Sequence, residues 1–219
     1  MSSSSPREFF EPSEPPGSPD SLHRSGDADE RLRRWLRALV ATPGLTALRL
    51  EDARRALVDD SLRGVDLVRR FDGPIVDVGS GGGVPGIPLA LALPERDVTL
   101  LEANGRKCEF LREWAPPNAR VVQGRAEEQA TDEFGVAVAK ALAAPPVAAE
   151  WCLPLVRPGG AVVLWAGPTA DRTRVSKVAA QLGGDSVEDA GGLLVLRKVR
   201  RTPPGFPRRT GVARKRPLA

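Results

Sequence analysis

The stretch IVDVGSGGGVPGIPLALA, Ile75–Ala92, decides the fold. A short β-branched run leads directly into four glycines within five positions, and an apolar segment with two prolines follows. The order strand, glycine turn, helix is typical of an open α/β sheet, in which ligands bind outside the carboxyl ends of the strands. Glycine adopts positive φ at little steric cost and lets ligand atoms approach the main chain. The stretch therefore predicts a ligand-binding turn with positive φ at Gly79, Gly81 and Gly83.

Beyond this turn, strand-like and helix-like segments alternate up to residue 200. Seven segments predict strands: PIVDVG, DVTLLE, ARVVQG, FGVAVAKAL, GGAVVLWA, DSVED and LLVLRKV. Amphipathic or apolar segments between them predict helices. The alternation predicts an α/β, Rossmann-like fold, with a mostly parallel seven-stranded sheet and helices on both faces. The pair Gly191-Gly192 predicts an antiparallel hairpin between the last two strands.

Composition divides the chain into four parts. Residues 1–28, rich in Ser, Pro and Glu, predict a disordered acidic arm. Residues 29–72 have apolar residues at helical spacing and predict a small helical cap, whereas residues 73–200 form the sheet domain. The basic tail, residues 201–219, continues a segment with nine Lys/Arg and no acid between Arg197 and Arg216; without those nine, the formal charge of +4 becomes −5. This asymmetry predicts a polyanionic partner such as a nucleic acid.

Several chemistries are excluded by residue counts. His23 is the one histidine and lies in the acidic arm, which argues against a Ser-His-Asp triad and a His-rich metal site. Cys108 and Cys152 predict two buried thiols in a reducing compartment rather than a disulfide framework. The sequence has neither a signal-peptide profile nor a membrane-spanning run. We therefore predict a cytoplasmic protein, monomeric, without a metal and without a membrane partner.

Two cofactors fit the glycine turn. Gly81, Gly83 and Gly86 satisfy G-x-G-x-x-G, a pattern of dinucleotide-binding folds. From Asp77, the same stretch reads D-x-G-x-G-x-G, which resembles motif I of the S-adenosyl-L-methionine (SAM) methyltransferases. The two interpretations share these glycines, so the spacing alone leaves both open.

The surrounding residues favour SAM over a dinucleotide. Glu102 ends the next strand and would accept hydrogen bonds from ribose hydroxyls with either cofactor. Pro85 and Pro88 remove backbone donors near the helix start, where a pyrophosphate would bind. SAM has no phosphate, so the missing backbone donors would cost it little binding energy.

Four segments resemble the RsmG (GidB) family of bacterial small-subunit ribosomal RNA methyltransferases, which modify guanine N7. They are DVGSGGGVPGIPLA, TLLEANGRKCEFL, GRAEEQ and RTPPGFPRRTGVARKRPL, and the resemblance extends from about Asp60 to the end of the chain. It implies a class I SAM-dependent methyltransferase fold, SAM as cofactor, and small-subunit (16S) ribosomal RNA or the 30S subunit as partner.

The resemblance also implies the site residues. Glu102 would hold the ribose, and Ala126 and Glu127 would contact the adenine, with Arg125 beside them. Lys140 stands where the family usually has arginine and would be the catalytic residue. The family usually has a histidine shortly before the pair matched here by Asp60-Ser61. The cofactor-binding positions implied are Asp77, Gly79, Ser80, Gly81, Gly83, Val84, Glu102, Arg125, Ala126, Glu127 and Lys140.

The basic tail predicts the RNA contacts. Arginine and lysine bind phosphates without reading the base sequence, and an aromatic ring stacks on an unpaired base. The candidates are Arg201, Phe206, Arg208, Arg209, Arg214, Lys215 and Arg216.

Guanine N7 is the acceptor that best suits this composition. N7 presents a free lone pair and has no proton to lose, so its methylation needs no general base. Methylation of an exocyclic amine commonly uses Asn/Asp-Pro-Pro-aromatic after the fourth strand, where this chain has Ala144-Pro145-Pro146-Val147. Two alternatives stay open: a methyltransferase of the same fold with another acceptor, and a non-catalytic RNA-binding relative.

Overall fold

The computed structural model describes residues 19–219, with side chains described from residue 26 onward. Helix α1, Pro19–Ala41, begins earlier than predicted, so the boundary expected at residue 28 falls inside a helix. The rest of the predicted disordered arm, residues 1–18, lies outside the described residues.

The predicted sheet is confirmed. Its strands, within the described residues, are β1 Ile75–Val78, β2 Val98–Glu102, β3 Ala119–Gln123, β4 Phe134–Lys140, β5 Val156–Trp165, β6 Gly184–Asp189 and β7 Leu193–Lys198. The order is β3-β2-β1-β4-β5-β7-β6. Strands β1 to β5 pair in parallel, and β7 pairs antiparallel with both β5 and β6, as the predicted hairpin requires. The direction of strand addition reverses between β1 and β4, so ligands are expected at the carboxyl ends of these two strands.

Helices cover both faces of the sheet. Beyond α1, they are α2 Leu50–Ala53, α3 Asp60–Leu62, α4 Val65–Arg69, α5 Gly86–Ala92, α6 Gly105–Trp114, α7 Pro145–Cys152, α8 Arg172–Gln181 and α9 Val212–Lys215. A π-helical turn, Arg54–Asp59, joins α2 to α3, and 3-10 turns occupy Ala126–Glu128 and Leu153–Leu155. None of the helices in the described part of the chain is long and apolar enough to cross a bilayer.

Two apolar cores result from the alternation of side chains along the strands. Ile75 of β1 and Val163 of β5 face the core under α1, α4, α5 and α6, whereas Val76 and Leu164 face the core under α7 and α8. Because successive strand residues point to opposite faces and both faces are covered, the strands are nearly continuous apolar runs.

The N-terminal helix α1 braces the glycine turn. The indole N–H of Trp35, which is fully buried, donates a hydrogen bond of 2.9 Å to the carbonyl of Gly82. A Cβ on Gly82 would overlap Leu39 of the same helix. The helical cap and the sheet therefore share one core, and the turn is supported from outside the sheet.

Candidate active site

The glycine turn has the predicted backbone. Gly79, Gly81 and Gly83 have φ values of +72°, +58° and +100°, and the N–H of Gly79 donates 2.8 Å to the carbonyl of Leu101 on β2. A Cβ on Gly79 would also overlap the side chain of Leu142. The turn therefore depends on glycine for its conformation and, at Gly79, for its packing.

A cavity of about 300 Å³ opens at the carboxyl ends of β1 and β2. Its walls come from the turns after β1, β2, β3 and β4, from helix α7 and from the C-terminal tail. The lining residues are Val78, Gly79, Leu101, Glu102, Ala103, Lys107, Gly124, Arg125, Ala126, Glu127, Ala141, Leu142, Trp151, Gly211 and Arg214. We call it the first cavity.

Glu102 presents a fixed carboxylate to the first cavity. Its Oε2 accepts from the N–H of Gly81 at 2.9 Å, and its Oε1 accepts from the N–H of Asn104 at 2.8 Å. Only 9% of the residue is exposed. Each carboxylate oxygen retains acceptor capacity, so the group is oriented for further donors such as vicinal hydroxyls.

The turn after β3 places three more of the predicted residues at the first cavity. Arg125, Ala126 and Glu127 all line it. The backbone N–H of Arg125 donates to Glu128, and Glu127 Oε1 accepts from the N–H of Gly211 at 3.2 Å. The predicted ribose and adenine sides of the site therefore lie on one cavity.

The other predicted cofactor residues do not line the first cavity. Ser80, Gly81, Gly83 and Val84 build the turn, and Ser80 is itself buried. Asp77 is fully buried beneath the turn, where its Oδ2 accepts from the N–H of Gly86 at 3.0 Å. Asp77 therefore joins β1 to the start of α5, and its predicted contact with the cofactor stays a prediction.

Asp77 should make the stability of the protein pH-dependent. Burial raises its pKa from 3.8 to about 7. Between these values the unfolded chain releases a proton that the folded protein keeps, so the free energy of unfolding falls as pH rises. We expect a loss of roughly 2.5 kcal/mol between about pH 5 and pH 8, measured by urea denaturation, because one pKa unit corresponds to about 1.4 kcal/mol. Asp77→Asn should flatten this slope, and an equal slope in the variant would contradict the assignment.

The start of α5 has no free donors for a pyrophosphate. The N–H of Gly86 is taken by Asp77, and that of Ile87 donates to the carbonyl of Gly83 at 2.8 Å. Pro85 and Pro88 have no N–H. A dinucleotide needs such donors at a helix N-terminus, so this geometry disfavours the dinucleotide interpretation.

A second cavity of about 280 Å³ adjoins the first and shares Ala141 with it. Its lining residues are Asp60, Arg63, Lys140, Ala141, Trp165, Ala166, Gly167, Pro168, Gly191, Gly192 and Leu193. Lys140 lines the second cavity and not the first, and its predicted contact with the cofactor stays a prediction.

Lys140 ties the helical cap to the sheet at this second cavity. Its Nζ donates to the carbonyl of Ala56 at 2.6 Å and is ion-paired with Asp60. Burial of Asp60 opposes ionisation, but hydrogen bonds from Lys140 and Arg63 outweigh it and hold the pKa of this carboxyl below its usual value. The indole N–H of Trp165 donates 2.8 Å to the carbonyl of Asp60. The wall thus carries two cations, one carboxylate and one fixed ring.

The predicted RNA contacts of the tail divide into two groups. Arg201, Arg209, Lys215 and Arg216 are exposed, as the prediction requires. The other three are placed differently. Phe206 packs against the core under α7, Arg208 forms an ion pair with the buried Glu150, and Arg214, although exposed, lines the first cavity.

Several lining residues were missed by sequence reasoning. Leu142 and Trp151 read as ordinary apolar positions, and nothing in their spacing distinguishes them. Gly211 lies in the tail, for which the sequence predicts only RNA contacts. It has a φ of +82°. Lys107 lies five residues after Glu102, in the first turn of α6, and lines the same cavity.

Curated relatives share most of this chain. Ribosomal RNA small subunit methyltransferase G of Rubrobacter xylanophilus is 39% identical over 173 residues, covering 68% of this chain and 66% of that protein. The protein of the same name from Acetivibrio thermocellus is 31% identical over 179 residues, covering 73% and 74%. That of Pelotomaculum thermopropionicum is 37% identical over 181 residues, covering 73% and 76%.

Solved structures with low sequence identity share the fold. The Thermus thermophilus 16S rRNA N2 G1207 methyltransferase (RsmC), in complex with AdoMet and guanosine, matches with a TM-score of 0.50 and 21% identity over 67% of this chain and 40% of that one. Streptomyces venezuelae DesVI matches with a TM-score of 0.52 and 14% identity over 65% and 92%. These matches support the class I methyltransferase fold.

A family model described as "GidB: rRNA small subunit methyltransferase G" matches residues 34–184, which include β1 to β5, the glycine turn, Glu102 and Lys140. The chain therefore belongs to the GidB family of small-subunit ribosomal RNA methyltransferases.

Proposed function

We propose that this protein transfers a methyl group from SAM to N7 of a guanine in small-subunit ribosomal RNA. The observation that carries the proposal is the meeting of two cavities at Ala141, at the carboxyl end of β4. One has a fixed acceptor suited to a ribose, and the other has a hydrogen-bonding wall suited to a base. Such an arrangement holds a donor and an acceptor side by side, and proximity supplies much of the rate enhancement.

The first cavity fits SAM. When bound, SAM supplies a methyl group on a sulfonium centre, which is open to in-line attack. Glu102 would accept from the ribose hydroxyls, and the Arg125–Glu127 turn would hold the adenine. Gly79 leaves the backbone open where a Cβ would crowd Leu142, and the indole N–H of Trp151, which is 9% exposed, has no hydrogen-bond partner among the described residues.

The second cavity fits a guanine extruded from its stack. Enzymes that modify a base read its Watson–Crick edge by hydrogen bonds and stacking. Guanine presents an O6 acceptor and an amino donor, which match the cations of Arg63 and Lys140 and the carboxylate of Asp60. Trp165 adds an aromatic wall.

The chemistry needs positioning rather than a base. N7 has no proton to lose, and no histidine lines either cavity. Methylation of cytosine C5 would need a thiolate, but Cys152 is fully buried and its pKa is raised by burial, and the Cys108 thiol donates to the carbonyl of Glu102. Neither thiol lines the second cavity.

The RNA would be held by the exposed cations of the tail. Arg201, Arg209, Lys215 and Arg216 are available for phosphates, and such contacts make affinity fall with salt. A ribosomal RNA substrate supports the prediction that the enzyme acts in the cytoplasm. The monomeric state and the absence of a metal stay predictions; the described residues contain no cluster of three potential metal ligands.

Methyl transfer from labelled SAM to small-subunit RNA lacking the modification tests this function. We expect label in the RNA and, after reduction, aniline-induced strand cleavage at one guanine, which reports N7 methylation. Label at a base that resists cleavage would indicate another acceptor. RNA affinity without SAM affinity would indicate a non-catalytic RNA-binding protein.

Glu102→Gln should weaken SAM binding about tenfold. The two carboxylate oxygens accept hydrogen bonds from the N–H groups of Gly81 and Asn104, and the amide nitrogen that replaces one of these oxygens cannot accept a hydrogen bond. Calorimetric titration with SAM gives the affinity. Glu109, an exposed carboxylate on α6, provides the control: Glu109→Gln should bind SAM as the unaltered protein does. Unchanged affinity in Glu102→Gln would remove Glu102 from the cofactor site.

A further inference from the structure

The C-terminal tail is docked onto the sheet domain along its length. Thr202 donates 2.9 Å to Asp132, and Lys198, buried at the end of β7, donates 2.8 Å to both Thr202 and the carbonyl of Leu153. Ala213 is buried in the core under α7. A segment that served only as a flexible RNA-binding arm would not need these buried contacts.

An ion pair secures the middle of the tail. Arg208 donates from Nε and Nη2 to the two carboxylate oxygens of Glu150, at 2.5 and 2.6 Å, and Glu150 on α7 is 3% exposed. The same guanidinium donates 2.8 Å to the carbonyl of Arg216, which closes residues 208–216 into a loop. Bidentate geometry of this kind is strong and directional.

This loop forms one wall of the first cavity. Gly211 and Arg214 line the cavity, and the Arg214 guanidinium lies 5.6 Å from the ring centre of Trp151, another lining residue. The N–H of Gly211 donates to Glu127, and Thr210 donates 3.3 Å to Glu128. The loop thus bonds directly to the turn that the proposed function assigns to the adenine.

We propose that residues 208–214 are the closing wall of the cofactor cavity, and that Arg208 and Glu150 are positioning residues for SAM although neither lines the cavity. The inference rests on the proposed function, because it takes SAM as the ligand. Removing Arg208 leaves the Glu150 carboxylate buried without its partner and frees the loop, so Gly211 and Arg214 no longer meet the ligand. Cofactor affinity then falls, whereas the second cavity is untouched.

Neighbouring arginines provide the test. Calorimetry should show SAM affinity about tenfold weaker in Arg208→Ala, partly restored in Arg208→Lys, and unchanged in Arg209→Ala, whose exposed side chain is expected to contact RNA instead. In steady-state assays Arg208→Ala should raise the KM for SAM while kcat at saturating SAM stays within about threefold. SAM should also slow tryptic cleavage of the tail in the unaltered protein and not in Arg208→Ala.

A second variant covers the case in which Arg208→Ala does not fold. Gly211→Val keeps the ion pair, and a Cβ at this position meets no atom within 4 Å. Valine opposes the positive φ that shapes the wall, so SAM affinity should again fall. If both variants, Arg208→Ala and Gly211→Val, fold and bind SAM with unchanged affinity, the proposal that residues 208–214 close the cofactor cavity is overturned. Absence of SAM binding by the unaltered protein would overturn the proposed cofactor, and the inference with it.

Discussion

Gly79→Val should lower SAM affinity at least roughly 100-fold, equivalent to about 2.7 kcal/mol. Two effects add. Valine at a φ of +72° would be strained and would shift the turn from the conformation that faces the ligand, and its Cβ would overlap Leu142 at the wall of the first cavity. The remaining volume of the side chain would occupy space in which the ligand meets the backbone. Calorimetric titration with SAM measures the loss.

Two further glycine variants separate strain from collision. Gly81→Val has positive φ but no close neighbour, and should show an intermediate loss. Gly159→Val, at a φ of +89° on β5 and away from both cavities, should cost stability without weakening SAM binding. Equal SAM affinity in folded Gly79→Val and in the unaltered protein would show that the ligand does not use this turn.

Lys140→Ala should lower kcat for methyl transfer about 100-fold, the size expected when a reactant is misplaced by about 1 Å. The change removes the ion pair with Asp60 and the hydrogen bond to Ala56, so the wall of the second cavity loses one of its connections between cap and sheet. SAM affinity should stay within about threefold, because Lys140 does not line the first cavity. Single-turnover methylation and SAM titration together give both quantities.

Lys140→Arg is the matched variant. The family resemblance places arginine here, and arginine keeps the charge facing Asp60, so most of the activity should remain. A loss of SAM affinity in Lys140→Ala as large as its loss of kcat would assign this residue to the cofactor site, as the family resemblance implies.

The sheet was predictable because its signal is local. Strands buried on both faces are short continuous apolar runs, and the cluster of glycines after β1 indicates positive φ without reference to any distant residue. Glu102 was predictable for the same reason, since a carboxylate that ends the strand after the glycine turn necessarily reaches the carboxyl edge of the sheet.

The partners of charged side chains were not predictable from spacing. Lys140 ends β4, and this position fixes the edge of the sheet that its side chain reaches. It does not indicate the partner of the ammonium group, because Asp60 lies 80 positions earlier in the chain. Arg208 resembles every other arginine of the tail. The clue was Glu150, the one charged residue in the apolar helix PPVAAEWC, because a carboxylate buried in such a helix requires a cationic partner.

Mapping of small-subunit ribosomal RNA methylation by mass spectrometry, with and without this protein, tests the central claim most directly. RNA from cells that contain the protein should carry one guanine with an additional methyl group at N7. That guanine should be unmodified in cells that lack the protein and regain the methyl group when the gene is restored, but not when Gly79→Val is supplied. Identical methylation of the RNA in the presence and absence of the protein would contradict the assigned function.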